Sequence, residues 1–456
     1  MLRDSFIYLL SRIFPAILSF VALFIFIKFM SPNDYGLYSV AIVSIGLINV
    51  ISSQWIRSGL IRFYNRQIPN FLGKTFTFQL LVLIIIVGIL TIVGLSLNLG
   101  ITQIFLLLFM LSNLIVNEIL NNYYRTILKP KLVLFGNLIK NIFFVITLIL
   151  FIYIYNKLSF DQSLLSYSIG LLTSNLYYFF NFKEKIKLEK DFKLMKAFLV
   201  YGLPLTISFA LGMLLQNIDK YLITFFLDVK RTGYYSLVYD LFHNSLYMVM
   251  GAMAMASLPR VLKQKGDYTK TFNRYIEIVY VISIPLVAAL LVLTPEFVTI
   301  LNSFNYKTTE LIIVFVILAT FIHGVNSYIY GQAVQLLQKT NIILIPSIVA
   351  VLVNIIINSL LLNLIGVLAA AISSLIAFSI SNIMILKKLN KEKHLNFYPK
   401  KLSYFLLITI VVVLIVWNIN LTNVYITASI KIFILTIYIG ISYFKFKETV
   451  LMKEKF

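Results

Sequence analysis

The chain has 456 residues, of which 60% are hydrophobic and 12% charged, with 38 Phe and 28 Tyr; a soluble domain carries about 25% charged residues. That balance excludes a water-soluble globular protein, which needs a charged exterior, and makes the bilayer the solvent. The absence of Cys, and only three His (His243, His323 and His394) far apart in sequence, exclude a disulfide framework and a thiolate site and leave no case for a metal centre or other cofactor.

A spanning helix needs about 20 apolar residues. Fourteen stretches meet that requirement, near 5–29, 37–60, 75–97, 101–121, 132–155, 163–182, 197–217, 233–257, 274–294, 309–331, 342–362, 364–386, 402–418 and 424–444. The first lies in MLRDSFIYLLSRIFPAILSFVALFIFIKF, which is too long for a signal peptide and has no small-residue cleavage site; it is expected to stay as the first span. Charged residues at 217–233 read as an outer loop, as does 295–308, and 362–364 reads as a tight hinge.

With the N-terminus inside, the inner segments are basic throughout: Arg62, Arg66 and Lys74; Arg125, Lys129 and Lys131; a Lys-rich run at 183–196; Arg260 to Lys270; another run at 387–401; and the C-terminal tail. The outer segments hold Lys28, Lys157, Lys220, Lys230, Arg231, Lys307 and little else. This is the cytoplasmic bias of membrane proteins, and it puts both termini in the cytoplasm. It also accounts for the net charge of +22 without nucleic acid. No loop is long enough to fold as a catalytic module, and no Gly-rich phosphate loop is present, so neither an enzyme nor a nucleotide-driven pump is expected.

The two halves resemble each other. Phe14-Pro15 in the first span is matched by Leu203-Pro204 in the seventh, and Asp34-Tyr35-Gly36-Leu37-Tyr38-Ser39 by Arg231-Thr232-Gly233-Tyr234-Tyr235-Ser236. Lys74-Thr75-Phe76 is matched by Lys270-Thr271-Phe272, and Asn121-Asn122-Tyr123 by Asn326-Ser327-Tyr328. The order and spacing predict an all-α polytopic protein of two six-helix bundles, 1–182 and 197–386, of like topology. A basic linker at 183–196 joins them, and a basic loop at 387–401 leads to a C-terminal helix pair at 402–456.

Met30-Ser31-Pro32-Asn33-Asp34-Tyr35-Gly36-Leu37-Tyr38, Tyr201-Gly202-Leu203-Pro204 and Asn217-Ile218-Asp219-Lys220-Tyr221, with the layout of six, six and two helices, resemble the oligosaccharide flippases of the Wzx type. These belong to a superfamily that also holds multidrug (MATE) exporters and lipid II flippases. The resemblance implies a MATE-like two-lobe fold in the bacterial cytoplasmic membrane. It also implies alternating-access transfer of an undecaprenyl-diphosphate-linked oligosaccharide to the outer leaflet, for O-antigen or capsule assembly alongside a polysaccharide polymerase. A lipid II-type flippase or a cation-coupled multidrug exporter is the alternative.

An anionic diphosphate-sugar head calls for cations and amides within the spans. Arg12, Arg57 and Lys140, all at the cytoplasmic side of the first bundle, are the candidate phosphate ligands; Lys and Arg at helix ends also snorkel to the interface. His323 and Asn326 are candidate sugar ligands. Asp240, which shares a helix face with His243, and Glu118, placed to pair with Arg125 or Lys140, are candidate groups for a coupling proton or sodium ion. Asp219 and Lys220 match the family's Asp-then-basic pair and are expected to form a structural ion pair.

Overall fold

Charge and hydropathy set the element ends, and side-chain caps close the starts of two of the helices described below, those beginning at Pro32 and Phe160. In the computed structural model the residues described are 2–64, 68–182, 186–263, 269–337, 342–390, 395–397, 400–419, 421 and 423–445, without the side chains of 2–13, 255–263, 400–404 and 442–445. The chain runs α1 (Leu2–Phe29), α2 (Pro32–Phe63), α3 (Phe71–Ser96), α4 (Ile101–Thr126), α5 (Pro130–Tyr155), α6 (Phe160–Phe180), α7 (Phe192–Phe226) and α8 (Val229–Lys263). It continues with α9 (Thr269–Val292), α10 (Thr294–Ser303), α11 (Glu310–Val325), a π-helical turn (Asn326–Tyr330), α12 (Gly331–Leu336), α13 (Leu344–Ile365), α14 (Leu368–Leu389), α15 (Lys400–Trp417) and α16 (Val424–Lys445). Among the described residues ten spans, with α11 to α12 counted as one, are long and apolar enough to cross a membrane. The protein is therefore a multi-span, all-α membrane protein.

Helices dominate because a bilayer offers the backbone no partner, so each segment satisfies its own N–H and C=O groups. Ser31 caps α2 by accepting from the Asp34 amide at 3.1 Å, with Pro32 at the first helical position. At the matching place in the second half, the Asp228 carboxylate accepts from the Arg231 amide at 2.6 Å. Asp34 also accepts from the Phe160 amide at 3.1 Å, so it ties the start of α2 to the start of α6. The predicted hinge at 362–364 resolves at Gly366, whose φ of 63° lets the chain reverse between α13 and α14.

The charged run at 217–233 is not a loop. α7 and α8 continue through it, leaving Leu227 and Asp228 as the break. Asp219 and Lys220 find partners inside the protein, so their polarity marks a buried site rather than a wet turn. The predicted outer loop at 295–308 is also largely helical, as α10.

The chain divides into two compact units, Met1–Asn217 and Ile218–Phe456, with the division inside α7. In unit 1 the core gathers round Phe198, whose ring lies 5.8 Å from Phe63, 6.0 Å from Phe71 and 5.8 Å from Phe78. A Cβ at Gly202 would stand 2.6 Å from the Trp55 Cα, so only glycine lets α7 lie this close to α2. The basic linker docks on α3: Lys74 Nζ lies 3.0 Å from Asp191 and 3.7 Å from Glu189, and Asn70 donates to the Lys187 carbonyl at 2.6 Å. The Asp191 carboxyl is held below its usual range by the Leu194 amide first and by Lys74 second.

Unit 2 has its core around Phe272, Tyr275, Ile329, Tyr330, Phe397 and Phe405. Here too the segment after the unit's last bundle helix returns to α9, where the Asn396 amide donates to Asn273 at 2.8 Å. The C-terminal helix α16 is held by a buried ion pair, with Lys431 Nζ 2.7 Å from Glu296 at the start of α10. Neither residue stood out in the sequence.

Candidate functional site

Each unit holds a cluster of buried polar side chains, and the clusters differ in chemistry. In unit 1, Arg57 lies on α2 with its side chain only 4% exposed. Its Nη1 donates to Asn49 Oδ1, two turns earlier, at 3.3 Å, and lies 3.7 Å from Glu118 on α4, which is 44% exposed. Arg57 Nε is buried and makes no hydrogen bond among the described residues. A buried arginine with an N–H left unbonded retains capacity for an anion.

The expected pairing of Glu118 with Arg125 or Lys140 is replaced by pairing with Arg57, because α4 packs on α2 at that level. Lys140, on α5, is half-buried with its ammonium 6.0 Å from the centre of the Tyr167 ring. None of the hydrogen bonds or ion pairs between described residues joins it to Arg57. The Arg12 side chain lies outside the described residues.

A second feature of unit 1 is an amide clamp. Asn117 on α4 donates to Ser174 Oγ and Asn175 Oδ1 on α6, both at 2.9 Å, and Asn175 donates back to the Asn113 carbonyl at 3.0 Å. Unit 2 repeats it. Asn326 donates to Ser381 Oγ at 3.1 Å and Asn382 Oδ1 at 2.6 Å on α14, and Asn382 donates back to the Ile322 carbonyl at 2.9 Å. The structural match of Asn326 is therefore Asn117, one turn from the Asn121 that the sequence comparison aligned with it. The amide nitrogen of Asn326 thus serves as a tie between α11 and α14. The Ser-Asn dipeptide present in both halves was the signal that would have found the clamp.

Unit 2 buries the larger charge cluster. The Asp219 carboxylate on α7 accepts from Tyr235 at 3.0 Å, Asn358 at 2.9 Å and Ser373 at 3.4 Å, and from Ser374. Lys220 turns away from Asp219 and binds Asp240 on α8 at 3.0 Å. The expected Asp219–Lys220 pair is thus replaced by Lys220–Asp240, because adjacent residues on a helix do not face each other. Four rings follow at four-residue spacing on α8. Tyr235 stacks on Tyr239 at 5.9 Å, Tyr239 on His243 at 5.0 Å and His243 on Tyr247 at 4.7 Å. His323 on α11 joins this stripe beside His243 and Tyr247, and its Nε2 lies 3.3 Å from Ser327 Oγ.

A chain of two compact helical units, most of whose helices can span a bilayer, defines a class of membrane protein, and solved structures share its fold. A lipid II flippase MurJ in an inward closed conformation is 17% identical, with 98% of this chain and 99% of that one aligned at a TM-score of 0.73. The MATE multidrug transporter DinF-BH is 18% identical over 87% of this chain and 96% of its own, at a TM-score of 0.56. An inward-facing MATE family transporter of the MOP superfamily is 14% identical over 86% and 94%, at 0.52. No curated protein sequence matches the chain. The family model of the polysaccharide biosynthesis proteins matches residues 1–265, more than half of the sequence, and the chain belongs to that family.

Proposed function

We propose that this protein is a transporter that flips an undecaprenyl-diphosphate-linked oligosaccharide from the cytoplasmic to the outer leaflet of the bacterial cytoplasmic membrane. Transfer occurs by alternating access and supplies surface polysaccharide assembly, with a polysaccharide polymerase downstream. Family membership supports the polysaccharide context. The observation that carries the cargo assignment is Arg57, a buried guanidinium with an unused N–H, whose carboxylate partner Glu118 is half in solvent. A diphosphate is a stronger and better-shaped partner for it than Glu118. Lys140 and Arg12 belong to the same proposed phosphate-receiving set. Asp240 is the proposed coupling carboxylate, and Glu118 is a counter-ion to Arg57.

Transport moves the cargo without making or breaking its bonds, so the chain works as a carrier rather than an enzyme. The test is complementation. The chain is supplied to a bacterium lacking its surface-polysaccharide flippase, and lipid-linked glycan is assayed on each leaflet. Outer-leaflet glycan is expected to return, and to be lost again with Arg57→Gln at unchanged membrane levels. Resistance to cationic drugs without glycan transfer would overturn the proposal in favour of an exporter. Rescue of a strain lacking its lipid II flippase would redirect it to that cargo.

A further inference from the structure

The stretch that leads from α6 into α7 is fixed to unit 1 more firmly than a connection needs. Residues 186–191 take no regular secondary structure, yet the start of α3 holds them through four residues. Asn70, in a left-handed conformation with a φ of 52°, donates its side-chain amide to the Lys187 carbonyl at 2.6 Å and to Glu189 at 2.9 Å. A Cβ at Gly73 would collide with the same Lys187 carbonyl, so glycine is what lets the segment lie on the helix. Lys74 pairs with both Glu189 and Asp191, and the Glu189 amide donates to Thr77 Oγ1 at 3.0 Å. Asp191 also accepts from the Lys193 and Leu194 amides in the first turn of α7.

This docking sorts the side chains. The two carboxylates turn to α3, whereas Leu188 between them is 62% exposed and Phe192 72% exposed. Lys187, Lys190, Lys193 and Lys196 are all exposed. With Lys74, five ammoniums stand against two carboxylates, so residues 186–196 and their partner on α3 carry an excess of three positive charges. Topological bias alone asks for lysines in such a segment. It does not ask for the carboxylates to be drawn away from them, nor for a Leu and a Phe to be presented beside them.

The position fits the composition. α3 begins at Phe71 and α7 at Phe192, and both are long and apolar enough to cross a membrane, so the patch lies where two spans begin. At that level an apolar side chain enters the boundary between headgroups and acyl chains, and an ammonium meets phosphate. Zwitterionic headgroups have no net charge to match the excess; anionic ones do. We infer that residues 186–196 form an interfacial anchor for anionic phospholipid headgroups of the cytoplasmic leaflet. Leu188 and Phe192 enter the bilayer boundary, and the four exposed lysines bind the headgroup phosphates. Lys74 stays out of the lipid contact and holds the two carboxylates against α3. The anchor thereby fixes the start of α7 to the membrane surface, whatever cargo the protein carries.

The chain has no cysteine, so Ile186→Cys places a single thiol beside the patch for a nitrobenzoxadiazole label. The labelled full-length protein is put into phosphatidylcholine nanodiscs. These hold a small, equal fraction of phosphatidylglycerol or of phosphatidylcholine with a nitroxide near the top of one acyl chain. Quenching by the anionic lipid should exceed quenching by the zwitterionic one at least about fivefold, the enrichment that a single lysine gives at a membrane surface. Lys190→Gln, Lys193→Gln and Lys196→Gln together should bring the two to within about twofold. Salt at about 1 M, where charges act over about 3 Å, should do the same. Equal quenching by the two lipids with the lysines intact would overturn the anchor and leave those lysines a topological role. Quenching by neither would also overturn it, because the patch would then face water. The comparison of the two lipids needs no lysine variant, so it stands even if the triple variant fails to fold. No lipid-linked sugar is present, so the outcome does not depend on flipping.

Discussion

Unit 1 and unit 2 each tie two helices with an asparagine that donates to a Ser-Asn pair, yet the helices continue differently beyond the tie. α4 passes Asn117 and stays regular to Thr126, whereas α11 reaches Asn326 and enters a π-helical turn. The extra residue is accommodated by three contacts. The Gly331 amide closes on the Asn326 carbonyl, the Tyr275 hydroxyl takes the Tyr328 carbonyl, and the clamp pins Asn326 itself. Such turns are rare and recur at functional positions. Here the turn carries Ser327 to His323 and Tyr328 to Tyr247, both part of the stacked stripe. One hydrogen-bonded core thus supports a plain helix in one unit and a reshaped one beside the buried charges in the other.

The ion pairs provide the sharpest way to break that contrast. Asp240→Leu leaves Lys220, 5% exposed, without that carboxylate and should lower stability in detergent-solubilised protein by about 3 kcal/mol. Lys220→Met with Asp240→Leu should recover most of the loss in the same thermal unfolding assay. Arg57→Met leaves Glu118, 44% exposed, free to resolvate, so its cost should stay near about 1 kcal/mol or below. Equal losses at the two pairs would show that unit 2 holds no special charge burden.

Replacing either clamp should cost less. Asn117→Leu and Asn326→Leu are each expected to lower stability by about 0.5–1.5 kcal/mol, as interhelical hydrogen bonds in membrane proteins do. Asn117 should lie at the upper end, because it is the more buried of the two. Smaller again is Gly331→Ala, whose Cβ would stand 3.3 Å from the Asn326 carbonyl. About 1 kcal/mol or less is expected, with slower flipping in the leaflet assay as the more sensitive readout.

The least effect is at the linker. Asp191 titrates below the ordinary carboxylate range, so its bonds to Leu194 and Lys74 contribute stability above about pH 4. That contribution is lost as pH falls through the depressed value, and hydrogen exchange at the Lys193 and Leu194 amides should then quicken. Exchange that is unchanged across this window would remove the linker's dependence on Asp191.

The spanning helices were legible because they depend on local quantities. An apolar run of sufficient length must become a helix in a bilayer, and the cap pair Ser31 and Asp228 lies where the matching motifs put it. Partner choice was not legible. Helical periodicity says which face a residue occupies but not which helix will cover that face. Glu118 therefore looked equally suited to Arg125 or Lys140 before α2 brought Arg57 to it, and Lys220 looked like a loop residue before α8 supplied Asp240. His243 and His323 were separate curiosities until α8 packed on α11. Chain composition determined that this protein spans a membrane; only tertiary packing decided which of its few charges meet, because in a low-dielectric interior each charge is stable only with the partner that the neighbouring helix presents.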